Sequence, residues 1–276
     1  MSIATLIYNA PTALLSAWRG RPAIARLHHP AALPTLLAAA DLENLVSIQL
    51  PLSPATIDEL AQWREPVPLD LVLSEPDRHY PLLYRCSLLL DHCPVRISIP
   101  ATSDFSKAVK LAISLQFAVK LEIIPSEPVL VEELTQVLTL YLHRSTVAQP
   151  IEPFHSSLLA FFHRQPVTLW TIQEEDPAVF RYITEQGEER LPGRLAGIPA
   201  QADSGTFVER WRRQLLTENS ECNGCPFLDY CSGYFKWPER AFRCDGVKML
   251  FGTLQEAATE LRQDLAAFSS APRGNS

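Results

Sequence analysis

Between Gly20 and Gly187 the chain contains no glycine, although 18 of its 23 prolines fall within residues 1–186. A loop that cradles a phosphate needs glycine so that backbone N–H groups can approach the ligand. This long stretch therefore offers neither a dinucleotide fingerprint nor a P-loop. Other scarcities narrow the field. The sequence has no run of about 18–20 apolar residues, the length at which a helix spans a bilayer. The opening stretch MSIATLIYNAPTALLSAW lacks the basic, apolar and small-residue order of a secretory signal. Positive charge is also in short supply, with 24 Lys and Arg against 31 Asp and Glu, a formal net charge of −7. No general field gathers nucleic acid or an anionic membrane, so neither is expected as a partner and the expected location is cytoplasmic. The first acidic residue is Asp41, preceded by Arg19, Arg21, Arg26, His28 and His29. That composition is mildly transit-peptide-like, yet PAIARLHH within it reads as a strand of the fold.

At 276 residues and 47 % hydrophobic content the chain can bury one large core with a small appendage. Six cysteines are too few to scaffold this length with disulfides, and clustered thiols in a reducing compartment are more often metal ligands or redox groups.

A unit recurs through the glycine-free part: an apolar strand-like run, a Ser/Thr and Pro cluster, then a helix-like pattern. It reads VSIQLPLSPATIDEL, LDLVLSEPDRHY, VRISIPATSDFSKAV and VKLEIIPSEPVLVEEL, with strand starts near Val46, Leu69, Val95 and Val119 at spacings of 23, 26 and 24 residues. Ser53, Ser74, Ser103 or Asp104, and Ser126 stand where helix N-caps or turn residues belong. PAIARLHH before the series and PVTLWTIQ (166–173) after it complete about six strand and helix units, with IEPFHSSLLAFFHRQ as a helix between. The strand runs look apolar rather than strictly alternating, which predicts strands covered on both faces. The expected fold is α/β: an incomplete (β/α)6 TIM-like barrel first, an open doubly wound sheet second. In either, ligands gather at the C-terminal ends of the strands. Polar groups available there are His28, His29, Glu75, Asp77, Asp104, Glu174 and Glu175, as a strand-end pocket for acid/base work or a second metal, or simply as caps and surface residues.

Beyond residue 187 the character changes. AVFRYITEQGEERL predicts a hairpin around Gln186 and Gly187, PGRLAGIPAQADSGT a linker and FVERWRRQLL a short helix. In TLQEAATELRQDLAAF, Leu254, Ala257, Ala258, Leu261 and Leu265 share one helical face. The expected organisation is residues 1–187 as the barrel-like part, 188–268 as a small metal-binding domain and 269–276 as a disordered tail. Cys86 and Cys93, seven apart, fall on the helical face of Leu83 and Leu90 and read as core.

The remaining four cysteines sit within ECNGCPFLDYCSGYFKWPERAFRC. Cys222, Cys225, Cys231 and Cys244 are separated by two, five and twelve residues. Four thiolates suit a 4Fe-4S cluster or a tetrahedral zinc, and ligand type does not separate them. A zinc ribbon usually brings two Cys-x2-Cys knuckles and only one is here, so the cluster is favoured, with zinc and then disulfides or unliganded thiols as the alternatives. Pro226, Phe227, Tyr230, Tyr234, Phe235 and Trp237 can form an apolar collar or the domain's own core. Gly224 and Gly233 permit tight turns with N–H groups aimed at sulfur, and Lys236, Arg240 and Arg243 either offset cluster charge or form a solvated face.

With its aromatic helix, Cys-x2-Cys-x5-Cys and closely following Gly233, residues 205–246 resemble the radical SAM enzymes that carry a C-terminal SPASM or twitch extension. Over the first 190 residues the resemblance rests on periodicity alone. It implies that Cys222, Cys225 and Cys231, with Cys244, bind one auxiliary iron-sulfur cluster. The chain departs from the family where S-adenosylmethionine is concerned: there is no Cys-x3-Cys-x2-Cys triplet and no glycine pair for the amino group. The full SPASM pattern also holds two clusters, with more cysteines than this tail has. The resemblance therefore implies a metal-binding, radical-SAM-like accessory protein without S-adenosylmethionine cleavage. It would work beside an active radical SAM enzyme, or on its peptide substrate, in peptide or cofactor maturation. The competing expectations are a barrel enzyme using the strand-end groups and a zinc-stapled binding protein.

Overall fold

Leu69–Val72 reads LDLV, Val95–Pro100 reads VRISIP and Ala118–Glu122 reads AVKLE. Successive strand side chains point to opposite faces, so this pattern gives a sheet one apolar and one polar face. The computed structural model, which describes residues 5–39, 42–123, 128–201, 204–218 and 220–270, carries the pattern across one nine-stranded sheet. Strands β1 (Ile7–Pro11), β2 (Ala23–Arg26), β3 (Leu45–Pro51), β4 (Leu69–Val72), β5 (Val95–Pro100), β6 (Ala118–Glu122) and β7 (Ile151–Glu152) are parallel neighbours in chain order. β8 (Phe180–Ile183) adds parallel to the other side of β1, and β9 (Glu189–Arg190) runs antiparallel to β8. The helices are α1 (Leu33–Ala39), α2 (Pro54–Leu60), α3 (Pro76–His79), α4 (Leu83–Cys86), α5 (Phe105–Ser114), α6 (Pro128–His143), α7 (Phe154–His163), α8 (Leu169–Ile172), α9 (Phe207–Thr217), α10 (Leu228–Cys231) and α11 (Asp245–Ser270).

The fold is thus α/β with a mostly parallel sheet, whose order β7-β6-β5-β4-β3-β2-β1-β8-β9 contains no reversal among its first seven strands. An open doubly wound sheet needs such a reversal to send helices to both faces. Right-handed crossovers without one put the connecting helices on the same side. The helix-covered face is apolar: Ile48, Leu50, Leu69, Leu71, Ile97, Ile99, Val119 and Leu121 are buried, with Phe105 and Val109 of α5 and Leu134 and Leu138 of α6 in the same cluster. The expectation of apolar strands covered on both sides needs correcting. The second face is buried as well, but its residues are polar: Arg26, Ser47, Asp70, Ser98 and Lys120.

The four repeated units start strands at Leu45, Leu69, Val95 and Ala118, each within one residue of expectation. Ser53 caps α2, its side chain accepting from the Thr56 N–H at 3.2 Å. Ser74 and Ser103 do not cap: Glu75 and Asp104 precede α3 and α5, neither with a side-chain cap bond, and Ser126 lies outside the described residues. PVTLWTIQ is not a strand. Thr168 accepts from the Thr171 N–H at 3.3 Å and turns the segment into α8. Its last residue still serves the sheet, because the Gln173 amide donates to the Leu121 carbonyl at 3.1 Å and accepts from the Ile123 N–H at 3.4 Å, beyond the point where the short β7 stops pairing. The hairpin turns at Gly187, φ +82°. Cys86 and Cys93 are core, but α4 breaks into a tight 3-10 turn, so Leu89 rather than Leu90 is buried. α11 packs on α7 and α6 through Leu254 and Ala258, while Leu261 and Leu265, expected on the same buried face, are exposed. Of the expected tail, Ser269 and Ser270 still belong to α11, and 271–276 lie outside the described residues. No helix among the described residues is long and apolar enough to cross a membrane.

Leu71, fully buried between sheet and helices, and Leu265, on the outer face of α11, separate packing from exposure. In denaturant titrations Leu71→Ala is expected to lose about 2–5 kcal/mol and Leu265→Ala less than about 0.5 kcal/mol; similar losses at both sites would contradict this burial pattern.

Candidate functional site

Two places bring chemistry-bearing residues together, and one aromatic side chain connects them. The first is built by the segment between α9 and α11. Cys222, Cys225, Cys231 and Cys244 all line one small cavity, with Phe227 and Leu228 from the same segment and Val247 and Phe251 from α11. All six cysteines are free thiols. The enclosed space is about 20 Å³, room for one water. Among the described residues no group of three or more His, Cys, Asp or Glu side chains could hold a metal ion as placed, so the four sulfurs share a cavity without converging on one point.

Local backbone geometry explains how Cys231 is served. Gly233 (φ +73°) is left-handed and Tyr234 opens a right-handed 3-10 turn, and such a pair of opposite hand turns successive N–H groups inward to form an anion-binding nest. Burial pushes the Cys231 thiol up to about 11, while the N–H groups of Phe235, Tyr234 and Gly233 pull the other way by favouring the thiolate. Gly233 is required sterically too, since a Cβ there would meet Leu215 Cδ1 at 2.3 Å and the Trp211 ring.

The basic residues divide. Lys236 is buried and lines the cavity, its ammonium donating to Glu221 Oε1 at 2.5 Å and to the Phe242 carbonyl. Lys248, which no sequence pattern had singled out, reaches the other oxygen of Glu221 at 2.9 Å. Arg240 instead pairs with Glu218 and lies over Trp211, and Arg243 pairs with Asp245 in solvent. Of the expected collar only Phe227 touches the cavity. Pro226 and Tyr230 face the groove between α7 and α11, and Trp237 packs on Phe207 and Trp211.

The second place is the polar face of the sheet, where Arg26, Gln49, Asp70 and Arg96 are direct register partners across β2 to β5. Their side chains form a continuous row. Arg26 donates to Asn9 Oδ1 at 2.7 Å, Asn9 to Gln49 at 3.2 Å and Gln49 to Asp70 Oδ2 at 3.1 Å; Ser98 and Arg96 donate to Asp70 at 2.6 and 2.8 Å. Glu174, held at φ +61° after α8, closes the row by binding Arg96 and Lys120, both at 2.6 Å. Burial opposes its charge, but Lys120 and Arg96 prevail and hold its carboxyl at about 2.

Above this row opens a cavity of about 480 Å³, lined by Asn9, Gln49, Lys120, Glu122, Glu174, Glu175, Arg181 and Arg194 among others. Of the seven expected strand-end groups, Glu174 and Glu175 are here. His28 does not line the cavity; exposed, it stands 3.0 Å from Glu185, which in turn pairs with Arg26. His29, Glu75, Asp77 and Asp104 are exposed surface residues instead; Glu75 is taken up by Arg78 and Asp104 by Lys107, because the strand-end loops direct them outward. Asp70, Arg96, Lys120 and Glu122 were missed. The signal for them was present, since each is the polar residue in an alternating strand.

No protein-family model, curated protein or solved structure matches this chain.

Tyr234 joins the two places. Its N–H faces the Cys231 sulfur, while its buried hydroxyl reaches the Ile123 carbonyl at 3.4 Å, and Ile123 lines the strand-end cavity. Arg194 fixes the link: it pairs with Glu175 at 3.0 Å, donates to the Trp237 and Tyr234 carbonyls at 2.8 and 3.2 Å, and stacks on the Tyr234 ring at 4.0 Å. Gly193 (φ +54°) makes room for this, because a Cβ there would stand 2.4 Å from Glu175 Cγ.

Glu174 generates a pH prediction. A carboxyl held below its ordinary 4.5 contributes stability that is present above that value and lost as pH falls toward about 2. Glu174→Gln leaves Lys120 buried without its partner and is expected to cost about 3 kcal/mol near neutral pH. Denaturation from pH 6 to pH 2.5 should show the variant losing less stability on acidification than the unaltered chain, and parallel curves would refute the assignment.

Proposed function

We propose that the chain is a radical-SAM-like, iron-sulfur-binding accessory protein: an incomplete (β/α)6-type barrel followed by a SPASM- or twitch-like segment that holds one auxiliary 4Fe-4S cluster. On this reading it does not cleave S-adenosylmethionine. It serves a radical SAM enzyme in peptide or cofactor maturation in the cytoplasm, by binding substrate or passing an electron. The observation that carries the reading is the gathering of Cys222, Cys225, Cys231 and Cys244 on one apolar-walled cavity, with backbone N–H groups aimed at one sulfur. The strand order without reversal and the buried polar face support the barrel-like part, because a barrel keeps its helices outside and its working groups inside.

The donor set fits a thiolate-bound group. Cys222, Cys225, Cys231 and Cys244 would hold the group, since four thiolates suit either a 4Fe-4S cluster or a single zinc. A bound cluster supplies a one-electron site, and the chain's own residues act on it. The N–H groups of Gly233, Tyr234 and Phe235 stabilise negative charge on Cys231, Lys236 and Lys248 place positive charge at the wall, and Phe227, Val247 and Phe251 exclude water.

Purified without oxygen, the protein is expected to be brown, with broad visible absorbance and stoichiometric iron and sulfide, and Cys225→Ser should lower both metal content and absorbance. A colourless, zinc-loaded protein would sink the cluster reading and favour a structural zinc. The accessory role has its own test: mass spectrometry of the natively purified protein should identify a co-purifying radical SAM enzyme.

A barrel enzyme acting at the strand ends is the second reading, and the 480 Å³ cavity with its carboxylates is the observation in its favour.

A further inference from the structure

The strand-end cavity contains one charged group that the described residues leave without a hydrogen bond or ion pair. Its cations are already committed: Lys120 to Glu174 at 2.6 Å, Arg181 to Glu189 at 2.8 Å and Arg194 to Glu175 at 3.0 Å. Glu122, the last residue of β6, lines the same cavity and is half-buried, yet among the described residues no hydrogen bond or ion pair reaches its carboxylate. Lys120 lies two residues earlier on the same face, but its ammonium belongs to Glu174. Glu122 thus presents a half-buried carboxylate to the cavity, where the neighbouring cations are already paired with other carboxylates.

We propose that this cavity binds an organic cation, a primary ammonium or guanidinium group, with Glu122 as its counter-ion. The size suits a small ligand, and Ile24, Ile123 and Phe180 give apolar wall for an aliphatic stem. A divalent metal is a poorer match. Such ions take six or more oxygen ligands, whereas Glu122 stands alone and no described group of three acidic, His or Cys side chains could hold a metal. Burial raises the pKa of Glu122; Lys120 and Arg96 oppose the rise while Asp70 and Glu174 add to it. A bound cation stabilises the ionised form, so binding weakens as pH falls through that raised pKa. The inference goes beyond the accessory reading and requires neither a cluster nor a partner.

The same chemistry comes from a free small amine or from a basic side chain of a peptide. Calorimetric titration of the full-length protein with cadaverine, and separately with a blocked tripeptide Gly-Lys-Gly, distinguishes these sources. At least one is expected to bind, at least tenfold tighter than the same peptide with its lysine acetylated, and with at least tenfold loss in Glu122→Gln. The acetylated-peptide comparison uses the unaltered chain and does not depend on the variant folding. Binding of both peptides equally, no binding of either cation, or affinity unchanged in a folded Glu122→Gln protein would overturn the proposal.

Discussion

A carboxylate that is 1 % exposed cannot remain charged without donors, and Asp70 sits in that position at the middle of the sheet. Gln49, Ser98 and Arg96 supply them from the strands on either side. Arg96 is then itself a cation with little water, and its second partner, Glu174, comes from beyond α8 and also satisfies Lys120. The need of one buried charge thus spreads across the sheet and draws in the segment that follows β7. The polar face is held by hydrogen bonds and ion pairs that must all be present together, whereas the opposite face is held by apolar contact.

The cysteine segment is attached through the same logic. Its aromatic residues belong to the one apolar cluster that also contains the sheet, and its backbone is held by Arg194, whose guanidinium is oriented by Glu175. The strand-end cavity and the thiols are therefore separated by little more than Tyr234, a ring whose two ends serve different places.

Much of this was legible in the sequence, for physical reasons. Strands β3 to β6 follow a repeat of strand, capping residue and helix, so their starts could be read to within a residue. β1 could not, because IYNAP carries no alternation strong enough to separate it from the run before it. PVTLWTIQ has the residues of a strand, but Thr168 favours a helix start and the edge of β6 is completed by one amide of Gln173. Reading LDLV, VRIS and VKLE as apolar runs concealed their alternation, and with it Asp70, Arg96 and Lys120. Exposed loop residues such as Glu75 and Asp77 stood out in sequence because they are polar, yet only the strand direction decides which polar groups face a cavity. The four cysteines were legible as a set from spacing; the role of Lys248, one helical turn into α11, depended on how that helix folds back.

The pairing of β1 with β8 sets residues 7–9 against residues 180–182. During synthesis β1 emerges long before β8, so one of its edges waits for a stretch of more than half the chain before it is covered. Contacts so distant in sequence slow folding and leave an unpaired strand edge open to other chains in the meantime. The closing strand also carries Arg181, whose partner Glu189 arrives with the hairpin. The last parallel strand of this sheet therefore lies beside the first.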